Sequence, residues 1–311
     1  MKEPPEWLKA YLINRYKNSS YANFLQMQIM ELHEGSITVS MLVRHELTNL
    51  HGILHGGAVG SLLDMAMNLT CFSLGRRATV LGFNTNFLRG CREGCTVRTA
   101  TTILHSGNRT MVVESQILDQ ENTLLAKGRG TFLITGQFSA DDLRVTHFAS
   151  SGEPEPLRWK GYPRTLLPGT RSLNGGLKDL LLHLHDRNYF AKYLGMEIEQ
   201  IGEGDCVVSM PVTHKHTNIR GVVHGGALVS LADMSMMLAC ATLGKHTVTL
   251  DLNINFVRRA REGVAVASLS KVIHKGKTSR VVQSSILDEA GTLLAEARGT
   301  FFVTGNYTPE A

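Results

Sequence analysis

Two short stretches of the 311-residue chain hold the residue types best suited to chemistry: "HGILHGGAVGSLLDM", beginning at His51, and "RGVVHGGALVSLADM", beginning at Arg220. Each sets an HGG tripeptide ahead of an aspartate, His55 before Asp64 and His224 before Asp233. The surrounding segment, "AVGSLLDMAMNLTCFSL" over 58–74, is apolar nearly all round, which marks a helix that is normally buried. An ionised carboxylate inside it costs several kcal/mol unless compensated. Two readings follow. The aspartate is structural, bonded to a nearby serine or backbone group, or it is a nucleophile or general base held in a water-poor pocket.

The glycines supply the complementary half. Gly56 and Gly57, and Gly225 and Gly226, fall at the expected start of the helix, where backbone N–H groups lack partners and the macrodipole is positive. Such a place suits a carbonyl oxygen that gains charge during acyl transfer. Glycine pairs also occur merely to let a helix begin close to a strand. Eight residues separate Gly56 from Asp64, roughly 12 Å along one helix. A nucleophile and its oxyanion donors must both come within about 3 Å of one carbonyl. One copy therefore cannot build a site alone. Two such helices lying antiparallel would place the aspartate of each against the HGG of the other.

The elements that must hold these groups are written twice. A shift of 169 residues superposes the halves without a gap: 14 of 25 residues are identical between 51–75 and 220–244, and 10 of 14 between 123–136 and 292–305. We expect a first domain over 1–136, a linker over 137–171 and a second domain over 172–311. The linker holds four of the eight prolines and has no clear period. Each half should open with an amphipathic helix, "EWLKAYLINRYK" or "LKDLLLHLHDR", followed by a strand in which Ile37, Val39, Met41 and Val43, or Cys206, Val208, Met210 and Val212, alternate. The HGG helix runs next, to Gly75 or Gly244, and four alternating segments follow as strands. The fold class is α+β: one long central helix and about five strands of antiparallel sheet per half, the two halves packed about a pseudo-two-fold axis.

Composition narrows the function. Hydrophobic residues make up 43% and charged residues 19%, as in a globular chain. No apolar run approaches the roughly 18 residues of a membrane span, and the amino terminus has no secretory signal pattern. Five cysteines without CxxC spacing support neither a disulfide framework nor a zinc site, so a reducing cytoplasm is expected. A net charge of +5 favours an anionic partner, but nothing in the chain looks like a nucleic-acid motif. Metal is not expected, because the paired histidines His45/His214 and His105/His274 have no carboxylate or cysteine at ligand spacing.

HGG with an aspartate nine residues after its histidine, and an asparagine six before it, resembles the hotdog-fold thioesterases of the PaaI-like and THEM2-like group. The resemblance covers 21–136 and 190–305, so the chain resembles a tandem double-hotdog acyl-CoA thioesterase. It implies acyl-CoA as substrate, no cofactor, and catalytic roles for Asp64 and Asp233, which attack the thioester carbonyl or activate water. It implies that Gly56 and Gly225 donate to the thioester oxygen, that Asn49 and Asn218 help place the nucleophile, and that His55 and His224 orient the loop near the sulfur. A serine or threonine after the helix assists the carboxylate in this family. Thr249 matches it, whereas the first half has Val80, and Asp251 is likewise replaced by Gly82. The site with Asp233 and Thr249 is thus expected to be the better one.

Other residues divide between roles. His55 and His224 could instead be satisfied structural histidines. Arg89 and Arg92, and Arg258, Arg259 and Arg261, with Lys275, Lys277, Arg280 and Arg109, are either solvated surface or a grip on the phosphates of coenzyme A. Met65, Met67, Met234, Met236 and Met237 are core filler or a pliant acyl pocket. Cys71 and Cys240 read as inert small hydrophobes. Two other functions compete: a hotdog hydratase or dehydratase, and a non-catalytic acyl-CoA sensor. Pairing of chains into a homodimer is expected from the resemblance alone.

Overall fold

The computed structural model describes residues 2–144, Trp159 and 171–307. The first half runs α1 (Glu6–Lys17), α2 (Ser20–Phe24), β1 (Gln28–His33), β2 (Ser36–Leu42), α3 (Gly56–Ser73), β3 (Arg76–Phe87), β4 (Thr96–Ser106), β5 (Thr110–Leu118) and β6 (Leu124–Gln137). The second repeats it as α4 (Gly175–Asp186), α5 (Tyr189–Leu194), β7 (Glu197–Gly202), β8 (Asp205–Pro211), α6 (Gly225–Ala241), β9 (Lys245–Phe256), β10 (Ala265–Lys275), β11 (Ser279–Asp288) and β12 (Leu293–Asn306). Each half thus holds one short helix and one strand more than the sequence reading expected. Five-residue α2 is too short to show a period. Edge strand β1 buries only Leu32 fully, so it lacks clean alternation.

The twelve strands form one antiparallel sheet in the order β1-β2-β4-β5-β6-β3-β9-β12-β11-β10-β8-β7. Pairing of β3 with β9 joins the halves, from Gly82↔Asn255 to Asn86↔Asp251, with Asn84 opposite Asn253 on the pseudo-axis. Gly82 is a requirement of this seam: a Cβ there would stand 2.5 Å from the Ile254 carbonyl oxygen. Its departure from the aspartate of the second half is therefore accounted for by packing.

Helices α3 and α6 lie against the inner face of the sheet. Every residue of α3 except Gly56 and Asn68, and every residue of α6 except Gly225 and Met237, is buried. Burial of each large apolar side chain contributes about 1.5–3 kcal/mol, which anchors the helices despite Asp64 and Asp233. Gly75 and Gly244 end them at φ +74° and +71°, where a Cβ would be strained. Matched β-bulges follow Val80 in β3 and Thr249 in β9, re-aiming those side chains beside the helices.

The linker expected over 137–171 falls mostly outside the described residues. Gln137 instead completes β6, and Phe138 is buried against Tyr11 and Phe72 of the first half. Trp159 lies against Val207, Ala267, Leu269 and Leu287 of the second half.

Candidate active site

The two long helices cross where their side chains are smallest. A Cβ on Gly57 would stand 2.6 Å from the Cα of Ser230, and one on Gly226 2.7 Å from that of Ser61. Partner numbers fall as residue numbers rise, so the helices run antiparallel. Ser61 donates to the carbonyls of Gly57 and Gly226 at 2.8 and 3.0 Å, and the Tyr21 hydroxyl caps the crossing 2.8 Å from the Ser61 hydroxyl. These serines, which could have bonded the aspartates, serve the crossing instead.

That crossing decides where the aspartates point. A Cβ on Gly56 would stand 2.7 Å from Asp233 Oδ2, and one on Gly225 2.9 Å from Asp64 Oδ2. Each carboxylate, 1% exposed for Asp64 and 2% for Asp233, thus lies against the helix start of the opposite half. Glycine is needed here for close approach. The N–H groups of Gly56 and Gly225 make no hydrogen bond among the described residues, so both remain available as donors. Gly57 and Gly226 differ from expectation. Their N–H groups point at the capping histidines, 3.1 Å from His55 Nδ1 and His224 Nδ1, and Gly226 also donates to Asp64 Oδ2 at 3.2 Å. Both hold the turn, Gly226 also holds a carboxylate, and neither N–H is free to meet a carbonyl.

His55 Nδ1 stands 3.1 Å from Asp233 Oδ2, and His224 Nδ1 the same distance from Asp64 Oδ2. Each nitrogen therefore shares one proton with a carboxylate. On the ring, the proton is donated to the carboxylate. On the acid, it is donated to Nδ1, whose lone pair is then no longer open to the glycine. Rings of Phe190 and Tyr21, equivalent residues of the two repeats, stack on His55 and His224 at 4.8 and 5.0 Å and fix their planes.

The second carboxylate oxygen is held differently in the two copies. Thr249 donates to Asp233 Oδ1 at 3.0 Å. Val80 cannot do so for Asp64, but Asn68 Nδ2 reaches Asp64 Oδ1 at 2.9 Å. Asn68 was missed in the sequence, although a polar residue four positions past a buried acid on one helix is a readable signal. The shortfall expected at the Asp64 site is offset by this amide. Asn49 and Asn218 turn Oδ1 back onto local N–H groups, of His51 and Ile53 in one loop and Arg220 in the other, leaving the amide nitrogen as their donor end.

A cavity of about 170 Å³ opens onto Asp64 and is lined by Asn218, His224, Gly225, Arg258 and Arg259 among others. Arg258 donates to the Leu293 carbonyl and its counterpart Arg89 to that of Leu124, both from exposed positions. Lys277 is exposed on the β10–β11 hairpin and is not among the cavity's lining residues. Arg280 is corrected. It is 3% exposed, and its guanidinium folds back onto the carbonyls of Gly276 and Ser279, so it holds the hairpin rather than a phosphate. Arg15, Tyr16, Ser19 and Arg220 also line the cavity, which nothing in their spacing announced. Burial pushes the thiols of Cys71 and Cys240 up to about 12, as befits inert core residues. No group of three or more metal-binding side chains occurs among the described residues.

A double hotdog with paired acid and glycine turns defines a class, and the chain belongs to it: this protein is a member of the thioesterase superfamily, whose profile matches residues 51–126 and 220–299, together half of its length. It is 33% identical over 129 residues to acyl-coenzyme A thioesterase PaaI of Escherichia coli K12, spanning 41% of this chain and 92% of that protein. It is 36% identical over 111 residues to the 1,4-dihydroxy-2-naphthoyl-CoA hydrolase of the same organism, spanning 35% and 81%. The whole tandem fold is shared with the tesB protein of Mycobacterium avium subspecies paratuberculosis, at a TM-score of 0.59 and 11% identity, covering 92% of this chain and 100% of that one.

Proposed function

We propose that the chain hydrolyses acyl-CoA thioesters to the free acid and coenzyme A, at two composite sites that each take their acid from one half and their oxyanion donor from the other. The observation that carries this is the close approach of each aspartate to the first glycine of the opposite helix, whose N–H has no hydrogen bond among the described residues. A thioester carbonyl seated there accepts from Gly56 or Gly225, a donor worth about 10²–10³ in turnover. The carboxylate then attacks the carbonyl carbon, giving an anhydride that water opens, or removes a proton from the attacking water. Either route consumes one water, breaks the C–S bond and passes a proton to the thiolate of coenzyme A. Asn49 and Asn218, with His55 and His224, hold the loop and the shared proton. Arg89, Arg258, Arg259 and Lys277 provide the positive rim for the phosphates of coenzyme A.

The units that carry this chemistry are the two hotdog halves, the first expected at 1–136 but running on through Phe138, the second at 172–311, joined by the chain between them. Two chains pair through the outer face of the central strands, where Leu81, Leu133, Val248, Leu250 and Phe302 stand 39–50% exposed. No helix among the described residues is long and apolar enough to cross a membrane, and five unpaired cysteines accord with a cytoplasmic setting.

In a thiol-release assay with acyl-CoA substrates, Asp64→Asn and Asp233→Asn should each abolish one site, and the double variant should lose about 10²–10⁴ in kcat while keeping the folded circular dichroism spectrum. Wild-type turnover by the double variant would remove both aspartates from the reaction.

A further inference from the structure

The cavity at Asp64 has a second set of polar groups that hydrolysis itself does not use. Its wall includes Arg15 and Tyr16 from the end of α1 and Ser19 at the start of α2, with Phe72 from the last turn of α3. Tyr16 and Ser19 are only 9% and 6% exposed, yet neither the Tyr16 hydroxyl nor the Ser19 hydroxyl has a hydrogen-bond partner. Such orphaned buried donors ordinarily cost about 1–3 kcal/mol each. Burial pushes the Tyr16 hydroxyl above its usual range, so it stays protonated and able to donate. The Arg15 guanidinium lies 5.2 Å over the Phe72 ring and makes no ion pair among the described residues. The carboxylate whose charge reaches it, Asp142, is already paired with Arg77 and accepts from the Ser139 N–H. Arg220, another lining residue, adds a further positive charge close by.

We propose that Arg15, Tyr16 and Ser19 receive a carboxylate at the far end of the acyl group, so that the Asp64 site takes ω-carboxyacyl-CoA thioesters. This rests on the thioesterase reading of Asp64. Two hydroxyl donors and a guanidinium without a carboxylate partner, which gives one long hydrogen bond from Nη1 to the Tyr11 hydroxyl at 3.4 Å, match the acceptor-only chemistry of a carboxylate. Phe72 stands eight residues beyond Asp64, roughly 12 Å along the helix, so the receptor is a chain's length from the reacting carbon. The phosphates of coenzyme A are bulky and hydrated, and suit the exposed Arg258 and Arg259. Buried hydroxyls suit the acyl end.

The other half sharpens the assignment. At the equivalent positions, 169 residues on, stand Leu184, His185 and Asn188. His185 Nε2 donates to the Met196 carbonyl, which leaves its Nδ1 as an acceptor, and Asn188 spends its amide on Ala191 N and the Met234 sulfur. Those three side chains offer a carboxylate no cation, and the one hydrogen-bonded ring nitrogen and the amide are already engaged. The receptor belongs to one pocket only.

The test compares adipyl-CoA with hexanoyl-CoA, and suberyl-CoA with octanoyl-CoA, in the full chain. In Asp233→Asn, which keeps only the Asp64 site, kcat/KM should favour the carboxylated member by roughly 10- to 100-fold. In Asp64→Asn the ratio should be near one. Arg15→Leu, the residue of the other repeat, and the near-isosteric Tyr16→Phe and Ser19→Ala should each move the ratio in Asp233→Asn toward one. A ratio near one in Asp233→Asn, a preference that survives in Asp64→Asn, or an Arg15→Leu effect equal for both members of a pair, as a phosphate grip would give, overturns the proposal. Absence of thiol release from every thioester would instead defeat the hydrolase reading. Calorimetric binding of adipyl-CoA against hexanoyl-CoA would then decide the receptor alone.

Discussion

Asp64 and Asp233 are carboxyl groups in nearly dry surroundings, so the donors aimed at them set how firmly each is held. One oxygen of each meets a histidine of the other half. The second is held by Thr249 in one case and Asn68 in the other. The supporting donor thus comes from a strand in one copy and from the helix itself in the other. A hydrogen bond to a charged group is worth about 1.5–3 kcal/mol. In Asp233→Asn, replacing Asn68 by Met, the residue at the equivalent position of the other repeat, should lower kcat roughly 10- to 100-fold. Adding Val80→Thr, which supplies the strand donor, should restore much of that loss. Steady-state thiol release checks it, and an unchanged kcat in the Asn68→Met variant would mean that Asp64 needs no second support. At this scale the acids, HGG turns and Thr249 were legible because their types are rare in apolar helices. Tyr16 and Ser19 were not, since α1 shows only its leucines and the cavity they face is made by four distant segments.

Among the elements, the antiparallel crossing of α3 and α6 is the feature on which the site depends. It is close because Gly57 and Gly226 face Ser230 and Ser61 across it. Gly57→Ala places a methyl 2.6 Å from backbone that cannot retreat, so it should cost about 1–3 kcal/mol of stability and lower turnover at both sites. Urea unfolding checks the first and thiol release the second. The antiparallel arrangement followed from sequence by distance alone, since one helix could not bring its own glycine and acid together. What the pattern did not reveal was the pair of short helices α2 and α5, whose Tyr21 and Phe190 stack on the histidines.

A second element links stability to pH. Buried His216 has Nδ1 3.1 Å from the Thr213 N–H and Nε2 2.9 Å from the Leu194 carbonyl, the pattern of a neutral ring. Burial, then the nearby Lys215 charge, lowers its pKa from 6.5 to about 3. The folded state therefore binds fewer protons than the unfolded one between those values. Stability is fully present above pH 6.5 and declines as pH falls toward 3. His216→Gln should flatten that decline in urea unfolding midpoints measured across the interval.

For the whole molecule, two hotdog units and their pseudo-two-fold relation could be read from a gapless repeat, because duplication preserves every element length. The sheet's outer surface could not, since it depends on which strands become central. There Val248 and Leu250 of β9 stand near Phe302 of β12, all 40–50% exposed. If chains pair through this face as proposed, sedimentation should show pairs for the native chain and single chains for Val248→Lys/Leu250→Lys; paired chains in the variant would place the contact elsewhere.

The seam between β3 and β9 has one more consequence. In an assembly of identical subunits, any substitution is copied into every pocket, so a gain for one substrate is imposed on all. Here the twin pockets are encoded separately, yet neither can be discarded, because the fold of each crossing helix is shared. A single codon can retune one cavity while its neighbour keeps its habits. Arg15 opposite Leu184, and Asn68 opposite Met237, are places where the two copies already differ and could be tuned apart.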